Sequence, residues 1–284
     1  MEHEMKNELN FDKESWLAQK QADRKAAFDL IEVTADSIGR DENLFRTCLD
    51  VMAQFDRYSV GNILLIAAQN PQANRLAEFN AWKQNGISIK KGEKAILLLE
   101  PGKEFTNAEG KTAVNYNVKR VFDISQTDSR TPPEHKHFEL RQLLTALVHT
   151  ADCQAQVREE LPDDSTAVYD PEKKMILLNH SQDVQVLFKD FSRELSMAYL
   201  DSGENFSRKD GAFIAMCSAY VLCRRYSMDT SDFSFRTLSD QCGEMDSKAI
   251  RHELKKIRDC ANRIYGDMSH HLEKLQQSQT QGIR

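Results

Sequence analysis

The sequence lacks any apolar run that approaches the roughly 20 residues of a membrane-spanning helix. Its first residues are polar and acidic, without the apolar core of a secretory signal peptide. We therefore expect a cytoplasmic protein that has no membrane partner. CxxC spacing is also absent, because the six cysteines are scattered and two of them, Cys217 and Cys223, lie in an apolar helical pattern. They are most simply reduced thiols.

An excess of positive charge is missing as well. The chain has 38 Lys and Arg residues against 44 Asp and Glu residues, a net charge of −6. This balance argues against broad binding to duplex DNA, for which a basic domain is usual. The charge is uneven, however, because residues 57–120 contain ten basic and five acidic side chains. A phosphate backbone needs a local basic face of this kind.

The length of 284 residues is enough for two domains, each with its own core. We predict an α+β fold in which an N-terminal domain, residues 1–124, packs helices on a small antiparallel sheet. Residues 125–137 have paired prolines and no apolar residue, which predicts a linker. The second domain, residues 138–284, is predicted to be mostly helical, with a β-hairpin and a long C-terminal helix.

The predicted elements follow from caps, breakers and apolar spacing. Ser15 is the predicted first cap, Pro71 breaks one helix, and the chain after Leu275 is predicted to be disordered, as is the extreme N-terminus. The predicted helices are 15–37, 43–55, 60–69, 73–84, 137–151, 182–200, 210–226 and 247–276, and the predicted strands are 87–89, 95–99, 114–124, 167–169 and 175–178.

Residues 57–102 also carry a family resemblance. The residues that carry it, in their order along the chain, are Tyr58, Ser59, Asn62, Leu64, Leu65, Gln69, Asn70, Pro71, Ala73, Phe79, Trp82, Gly86, the run Lys90-Lys91-Gly92-Glu93-Lys94, Ile96 and Pro101. Together with the closing segment 121–127 (VFDISQT), this order resembles the N-terminal domain of ArdC-type antirestriction proteins. The resemblance implies that this domain binds single-stranded DNA and that a zinc-peptidase-like domain follows it.

Binding single strands requires aromatic faces for the bases and cations along the backbone. The candidates for stacking are Tyr58, Trp82, Tyr116 and Phe122; those for phosphates are Arg57, Arg75, Lys83, Lys90, Lys91, Lys94 and Lys119; those for base edges or sugars are Asn62, Gln69 and Asn70. Structural roles stay open beside these. Trp82 and Phe122 also fit a core, the lysine run also fits a solvated turn, and Asn62 and Gln69 share a helical face that also suits capping.

The second domain resembles the zincin-like (ImmA/IrrE-like) half of the same family, through the hairpin at 167–178, the helix at 193–200 and the segments 215–223 and 229–235. Zinc peptidases need two histidines four residues apart, with a glutamate beside the first as general base. Here those positions are Arg193, Glu194 and Met197, and the third-ligand region offers Ala212, Ile214 and Met216.

Arginine has no lone pair to donate, and methionine sulfur is a poor zinc ligand. We therefore expect no metal, no cofactor and no catalysis, with Glu194 vestigial and Arg193, Met197 and Met216 at degenerate ligand positions. Arg193 either places a fixed positive charge where the metal would sit, with Glu194 or Asp190 as partner, or points to solvent. A zinc site would remain possible only if His149 and His180 were recruited as ligands.

The expected function is that of a non-catalytic single-stranded DNA-binding protein of a mobile genetic element, in antirestriction or conjugation, with a pseudopeptidase domain. A host restriction or conjugation protein is a further expected partner. Two alternatives stay open: an active zinc metallopeptidase with altered ligands, and a protein-interaction adaptor whose basic face binds an acidic partner. The last helix has one apolar face, containing Ile250, Leu254 and Ile257, which covers the core or recruits a partner.

Overall fold

The computed structural model describes residues 2–106, 110, 112–129, 138–151, 153–161, 165–179, 183–203 and 206–281. The chain forms two compact units. Unit 1 comprises Met1–Val51, Tyr58–Pro133 and Met245–Lys248, and unit 2 comprises Met52–Arg57, Glu134–Glu244 and Ala249–Arg284. Each unit has helices and a three-stranded sheet, so the predicted α+β fold class is confirmed. No helix in the described ranges combines the length and apolar character needed to cross a bilayer.

The sheet of unit 1 is antiparallel in the order β1-β3-β2, with two long strands and one short one. Its helix α3 begins where the Ser59 hydroxyl accepts a hydrogen bond from the backbone N–H of Asn62, an N-cap arrangement. The elements up to the end of this sheet are α1 (Glu2–Ile38), α2 (Glu42–Gln54), α3 (Val60–Gln69), β1 (Leu76–Glu78), α4 (Phe79–Gln84), β2 (Ile96–Thr106) and β3 (Thr112–Asp123).

The helix predicted at 73–84 is wrong over its first half: residues 73–75 form no regular element, Leu76–Glu78 form β1, and the helix begins only at Phe79. The carboxylate of Asp123 accepts hydrogen bonds from the backbone N–H groups of Asn74, at 2.7 Å, and Arg75, at 2.8 Å. These bonds hold the segment extended beside the end of β3, which no local pattern reveals. The strand predicted at 87–89 is only one bridge, from Ile89 to Thr127.

The predicted linker also needs correction at its start. Residues Ile124–Gln126 form a 3₁₀ turn whose capping box joins Asp123 to Gln126, and Thr127 is buried. Residues 125–129 are therefore part of the fold, whereas 130–137 lie outside the described residues. At the two ends of the chain, α1 already begins at Glu2 instead of 15, and the last helix continues to Gln281 through a segment predicted to be disordered.

Unit 2 packs helices beside a mixed sheet in the order β4-β6-β5. The predicted hairpin is present as the antiparallel pair of β5 and β6. The parallel edge strand β4 was not predicted, because its sequence QAQVR has only two apolar residues and all five residues are exposed. Its elements are α5 (Leu140–Thr150), β4 (Gln154–Arg158), β5 (Ala167–Asp170), β6 (Met175–Asn179), α6 (Val184–Leu200), α7 (Arg208–Arg225), α8 (Leu238–Cys242) and α9 (Ser247–Gln281).

The core of unit 2 lies between α6, α7 and the hairpin. Phe188, Phe191 and Leu195 of α6 are fully buried, as are the small residues Ala215 and Ala219 of α7. Small side chains on α7 permit the close approach of the two helices. The face of α6 that carries Glu194 is turned toward β5.

Candidate functional site

Asn62 and Gln69 close the outer edge of the sheet in unit 1. The Asn62 amide donates to the Leu99 carbonyl at 2.9 Å and accepts from the Leu99 N–H at 2.8 Å. Gln69 makes the same pair of bonds to Leu97, at 3.0 and 2.9 Å. Since β2 is an edge strand, these amides satisfy backbone groups that otherwise invite pairing with another chain. Both amides are therefore used within the fold, where they cap the free backbone groups of β2.

Trp82 is also occupied inside unit 1. Its ring is 1% exposed, and its indole N–H donates to the Phe122 carbonyl at 2.9 Å. The guanidinium carbon of Arg75 lies 5.3 Å from the ring centroid, which is a cation–π contact. Trp82 therefore belongs to the core and presents no ring face to a base, Phe122 is half-buried, and Arg75 remains exposed.

The lysine turn is fixed against the end of the sheet. The Lys90 ammonium donates to the Ser125 carbonyl at 2.8 Å, and the Gln126 amide donates to the Lys94 carbonyl at 2.8 Å. Gly92 permits the turn because its φ of 88° lies in the left-handed region. Lys91 and Lys94 are exposed on this anchored turn. The three lysines are thus held together on a fixed backbone.

Tyr58 and Lys119 lie near each other on the sheet side of the same unit. The Lys119 ammonium lies 2.7 Å from a Glu78 carboxylate oxygen and 3.6 Å from one of Glu100. The hydrogen bond to Glu78 raises the pKa of Lys119, while partial burial opposes the shift. Burial raises the pKa of Tyr58, and the charge of Lys119 lowers it. Lys119 is therefore a cation already partly neutralised by two carboxylates.

The structure thus separates the predicted nucleic-acid residues into two classes. Asn62, Gln69 and Trp82 serve the fold, whereas the predicted cations and two tyrosines reach the surface, with Tyr58 and Lys119 half-buried. In unit 1 these are Tyr58, Arg75, Lys83, Lys90, Lys91, Lys94, Tyr116 and Lys119, and Arg57 belongs to unit 2. Residues of α1 that contact β3 were not predicted, although the apolar stripe of that helix was a signal that one of its faces packs.

In unit 2, Glu194 is a buried carboxylate with positive and backbone partners. It is 2% exposed and accepts the Tyr169 N–H at 2.8 Å. One Arg208 nitrogen donates to both of its oxygens, at 2.8 and 3.1 Å, and the Arg193 Nε donates at 3.3 Å. Arg208 also donates to the Tyr169 carbonyl at 3.0 Å. Glu194 and Arg208 together therefore bond both the N–H and the carbonyl of Tyr169, on the edge strand β5.

The residues predicted to be degenerate ligands take part in packing and ion pairs. Arg193 contacts Asp190 at 3.3 Å as well as Glu194, so it has both of the partners considered from the sequence. Met197 is buried against α7, where a Cβ added to Gly211 would lie 3.1 Å from its sulfur. Met216 is half-buried. Arg208 was missed because only the fold brings it to Glu194.

These residues do not fit a zinc ion. The guanidinium of Arg193 and the thioether of Met197 stand at the two positions where the zincin resemblance would require imidazoles. Within the ranges described, no three His, Cys, Asp or Glu side chains lie close enough to hold a metal. His149 instead stacks on His271, with ring centroids 4.7 Å apart, and His180 lies outside the described residues.

Comparisons with known proteins show what this chain is similar to. The family model for the N-terminal domain of anti-restriction factor ArdC matches residues 39–138. The crystal structure of the metal-free antirestriction protein ArdC from the R388 plasmid is similar, with a TM-score of 0.50 and 18% identity over 75% of this chain and 86% of that chain. Its Mn(II)-bound structure gives a TM-score of 0.49 and 16% identity, over 80% and 98%.

A curated relative is about twice as long as the region that it shares with this chain. The uncharacterized protein pXO2-81 of Bacillus anthracis is 25% identical over 79% of this chain and 48% of that protein. The chain therefore spans about half the length of the curated relative that it matches. The resemblance to the N-terminal domain of ArdC-type proteins is confirmed by the match over residues 39–138 and by the shared fold, whereas the zincin-like character of residues 138–284 stays a prediction.

Proposed function

Since the chain is ArdC-like and carries the ArdC N-terminal domain over residues 39–138, we propose that it is a non-catalytic, single-stranded DNA-binding protein of a mobile genetic element. Its role would be antirestriction, or escort of incoming DNA during conjugation. The similar solved protein is an antirestriction protein from a plasmid, which supports this setting. A host restriction or conjugation protein is the further partner that this role requires.

The observation that carries the proposal is the basic face of unit 1 inside an acidic chain. The net charge is −6, yet the anchored turn presents Lys91 and Lys94 to solvent. Lys90 is tied to the Ser125 carbonyl and keeps this turn in place. A fixed cluster of ammonium groups attracts a phosphate backbone without sequence preference.

The second part of the proposal is that unit 2 is a pseudopeptidase. A general base must reach a metal-bound water, but the Glu194 carboxylate is occupied by Arg208, Arg193 and the Tyr169 N–H. In this arrangement the positive charges of two arginines replace the charge of a metal as the partner of Glu194. The glutamate then serves to join α6, α7 and β5.

Titration of fluorescently labelled oligonucleotides, followed by anisotropy, tests the DNA-binding part. Single strands should bind more tightly than the matching duplex, and the affinity should fall steeply as salt is raised. The variant Lys91→Glu with Lys94→Glu should weaken binding at least about tenfold and reduce the salt slope by about 1.4, because two phosphate contacts are lost at about 0.7 each.

The matched control is Lys209→Glu with Lys248→Glu, which makes the same charge change at two exposed lysines outside residues 57–120. We leave Lys90 unchanged because its bond to Ser125 makes it part of the turn. Equal weakening by both double variants would reduce the effect to net charge. Intact DNA binding in the Lys91/Lys94 variant, with loss of an acidic protein partner, would instead support the adaptor alternative.

Metal content tests the pseudopeptidase part. Protein equilibrated with Zn²⁺ and passed through gel filtration should carry far less than one zinc per chain. Stoichiometric retained zinc, together with peptide cleavage that Glu194→Gln abolishes, would establish the alternative of an active metallopeptidase with altered ligands.

A further inference from the structure

A second aromatic residue joins Tyr116 at the surface of unit 1, on an element outside the matched residues 39–138. Phe28 of α1 meets Tyr116 of β3 edge to face, with ring centroids 5.9 Å apart and an angle of 83° between the rings. Phe28 is 37% exposed and Tyr116 36%. The two rings therefore contact each other while each keeps about a third of its surface open to water, where a further flat ring can reach them.

Two arginines join the same two elements as this ring pair. The Arg24 guanidinium donates to the Asn115 side-chain oxygen, and the Arg120 guanidinium pairs with Asp23. Arg24 lies one helical turn before Phe28 on α1, and Arg120 lies four residues after Tyr116 on β3. The Arg120 side chain is 56% exposed and thus keeps donors that face water.

The register of β3 places Val114 and Arg120 on the same face of the sheet as Tyr116, whereas Asn115, the partner of Arg24, lies on the other face. Side chains alternate along a strand, so Val114, Tyr116 and Arg120 of β3 share a face. Val114 is 38% exposed beside Tyr116. Phe105 lies on the opposite face of the same hairpin, because its register partner is residue 113, which is an odd number of positions (three) from Tyr116.

We propose that α1 completes the single-strand interface: Phe28 and Tyr116 form a stacking site for unpaired bases, and Arg24 and Arg120 bind the phosphates on either side. This inference rests on the proposed DNA binding and adds a helix that the family domain alone does not include. Stacking on aromatic rings suits any base, and guanidinium groups bind phosphate through paired donors. The site therefore fits single strands of any sequence.

The test compares ring-removing and ring-keeping substitutions in the whole chain. Phe28→Leu keeps an apolar contact with Tyr116 but has no ring, and Phe28→Tyr keeps the ring. Loss of one stacked base should weaken binding of a labelled oligothymidine at least about fivefold in Phe28→Leu, and Phe28→Tyr should stay within about twofold of wild type. Tyr116→Leu and Tyr116→Phe should divide in the same way.

Phe105→Leu is the matched control, since it removes an aromatic residue that is 50% exposed from the other face of the same hairpin. It should bind like wild type. Equal affinity of Phe28→Leu, Tyr116→Leu and wild type would overturn this inference and leave the proposed DNA binding intact. Failure of the wild-type chain itself to bind single strands would overturn both.

A reporter at the site separates stacking from a change in folding. Tyr116→Trp should bind the oligonucleotide and show a fluorescence decrease on binding that exceeds that of wild type, because a stacked base quenches the indole. The same variant without additional quenching, while binding normally, would show that no base reaches the rings. Circular dichroism melts of all variants within about 3 °C of wild type would exclude unfolding as the cause.

Discussion

Replacement of Glu194 by glutamine should destabilise this protein, in contrast to what is common at a catalytic base. Active-site groups are often held at a cost in stability, so their removal frequently leaves an enzyme as stable or more stable. Here the carboxylate has three donors within 3.3 Å, from Arg208, Arg193 and the Tyr169 N–H. Glutamine can accept from one or two of them, but its NH₂ group then faces another donor.

The magnitude follows from these contacts. A hydrogen bond to a charged group contributes about 1.5–3 kcal/mol, but both arginines are 42% exposed and regain water when unpaired. We therefore expect Glu194→Gln to lower the free energy of unfolding by about 1–3 kcal/mol. Glu194→Ala should cost about 1–3 kcal/mol more, because the buried Tyr169 N–H then has no acceptor.

Urea denaturation followed by circular dichroism measures these changes. Glu172→Gln is the control, because Glu172 is exposed on the turn after β5 and its loss should stay within about 0.5 kcal/mol of wild type. Combination of Glu194→Gln with Arg208→Met should give a coupling energy of at least about 1 kcal/mol, since the two side chains are partners. Unchanged or increased stability in Glu194→Gln would refute the structural role.

Three further substitutions test the contacts that hold each unit. Arg225→Met should lower the free energy of unfolding by about 2–4 kcal/mol in urea denaturation, because the buried guanidinium donates to the carbonyls of Met52 and Ala53 at 3.0 and 3.1 Å. Asn62→Ala should cost about 1–3 kcal/mol and promote aggregation, measured by light scattering, since it uncovers the edge of β2. Burial opposes ionisation of Asp123, but hydrogen bonds from Ser125, Arg75 and Asn74 hold its pKa below the usual value. Its stabilising contribution is therefore complete above the unfolded-state pKa of about 4 and is lost as the pH falls through the folded-state pKa. Asp123→Asn should accordingly lower stability at pH 7 and flatten the dependence of stability on pH below about 4.

Local signals in the sequence predicted the elements whose formation depends on neighbours in the chain. Ser59 and Pro71 bracket α3, which lies at the predicted residues 60–69. The strands predicted at 167–169 and 175–178 on either side of Asp170-Pro171 form the hairpin of β5 and β6. Caps, breakers and alternation act over a few residues, so they can be read without the fold.

Contacts between distant segments account for what the sequence did not reveal. β4 exists because its backbone pairs with β6, and its own residues have little strand pattern. Arg208 reaches Glu194 only because α7 packs on α6. Asn62 and Gln69 share a helical face, as predicted. This face meets the edge of β2 only because α3 packs beside that strand, which the sequence does not reveal.

Hydrogen–deuterium exchange of the whole chain, with and without a saturating single-stranded oligonucleotide, tests the central claim most directly. We expect slower exchange around Tyr58 and in residues 90–94 and 112–123, which carry the proposed DNA-binding side chains, and unchanged exchange in α6 and α7. Protection concentrated around Glu194 and Arg208, or no protection in unit 1, would contradict it.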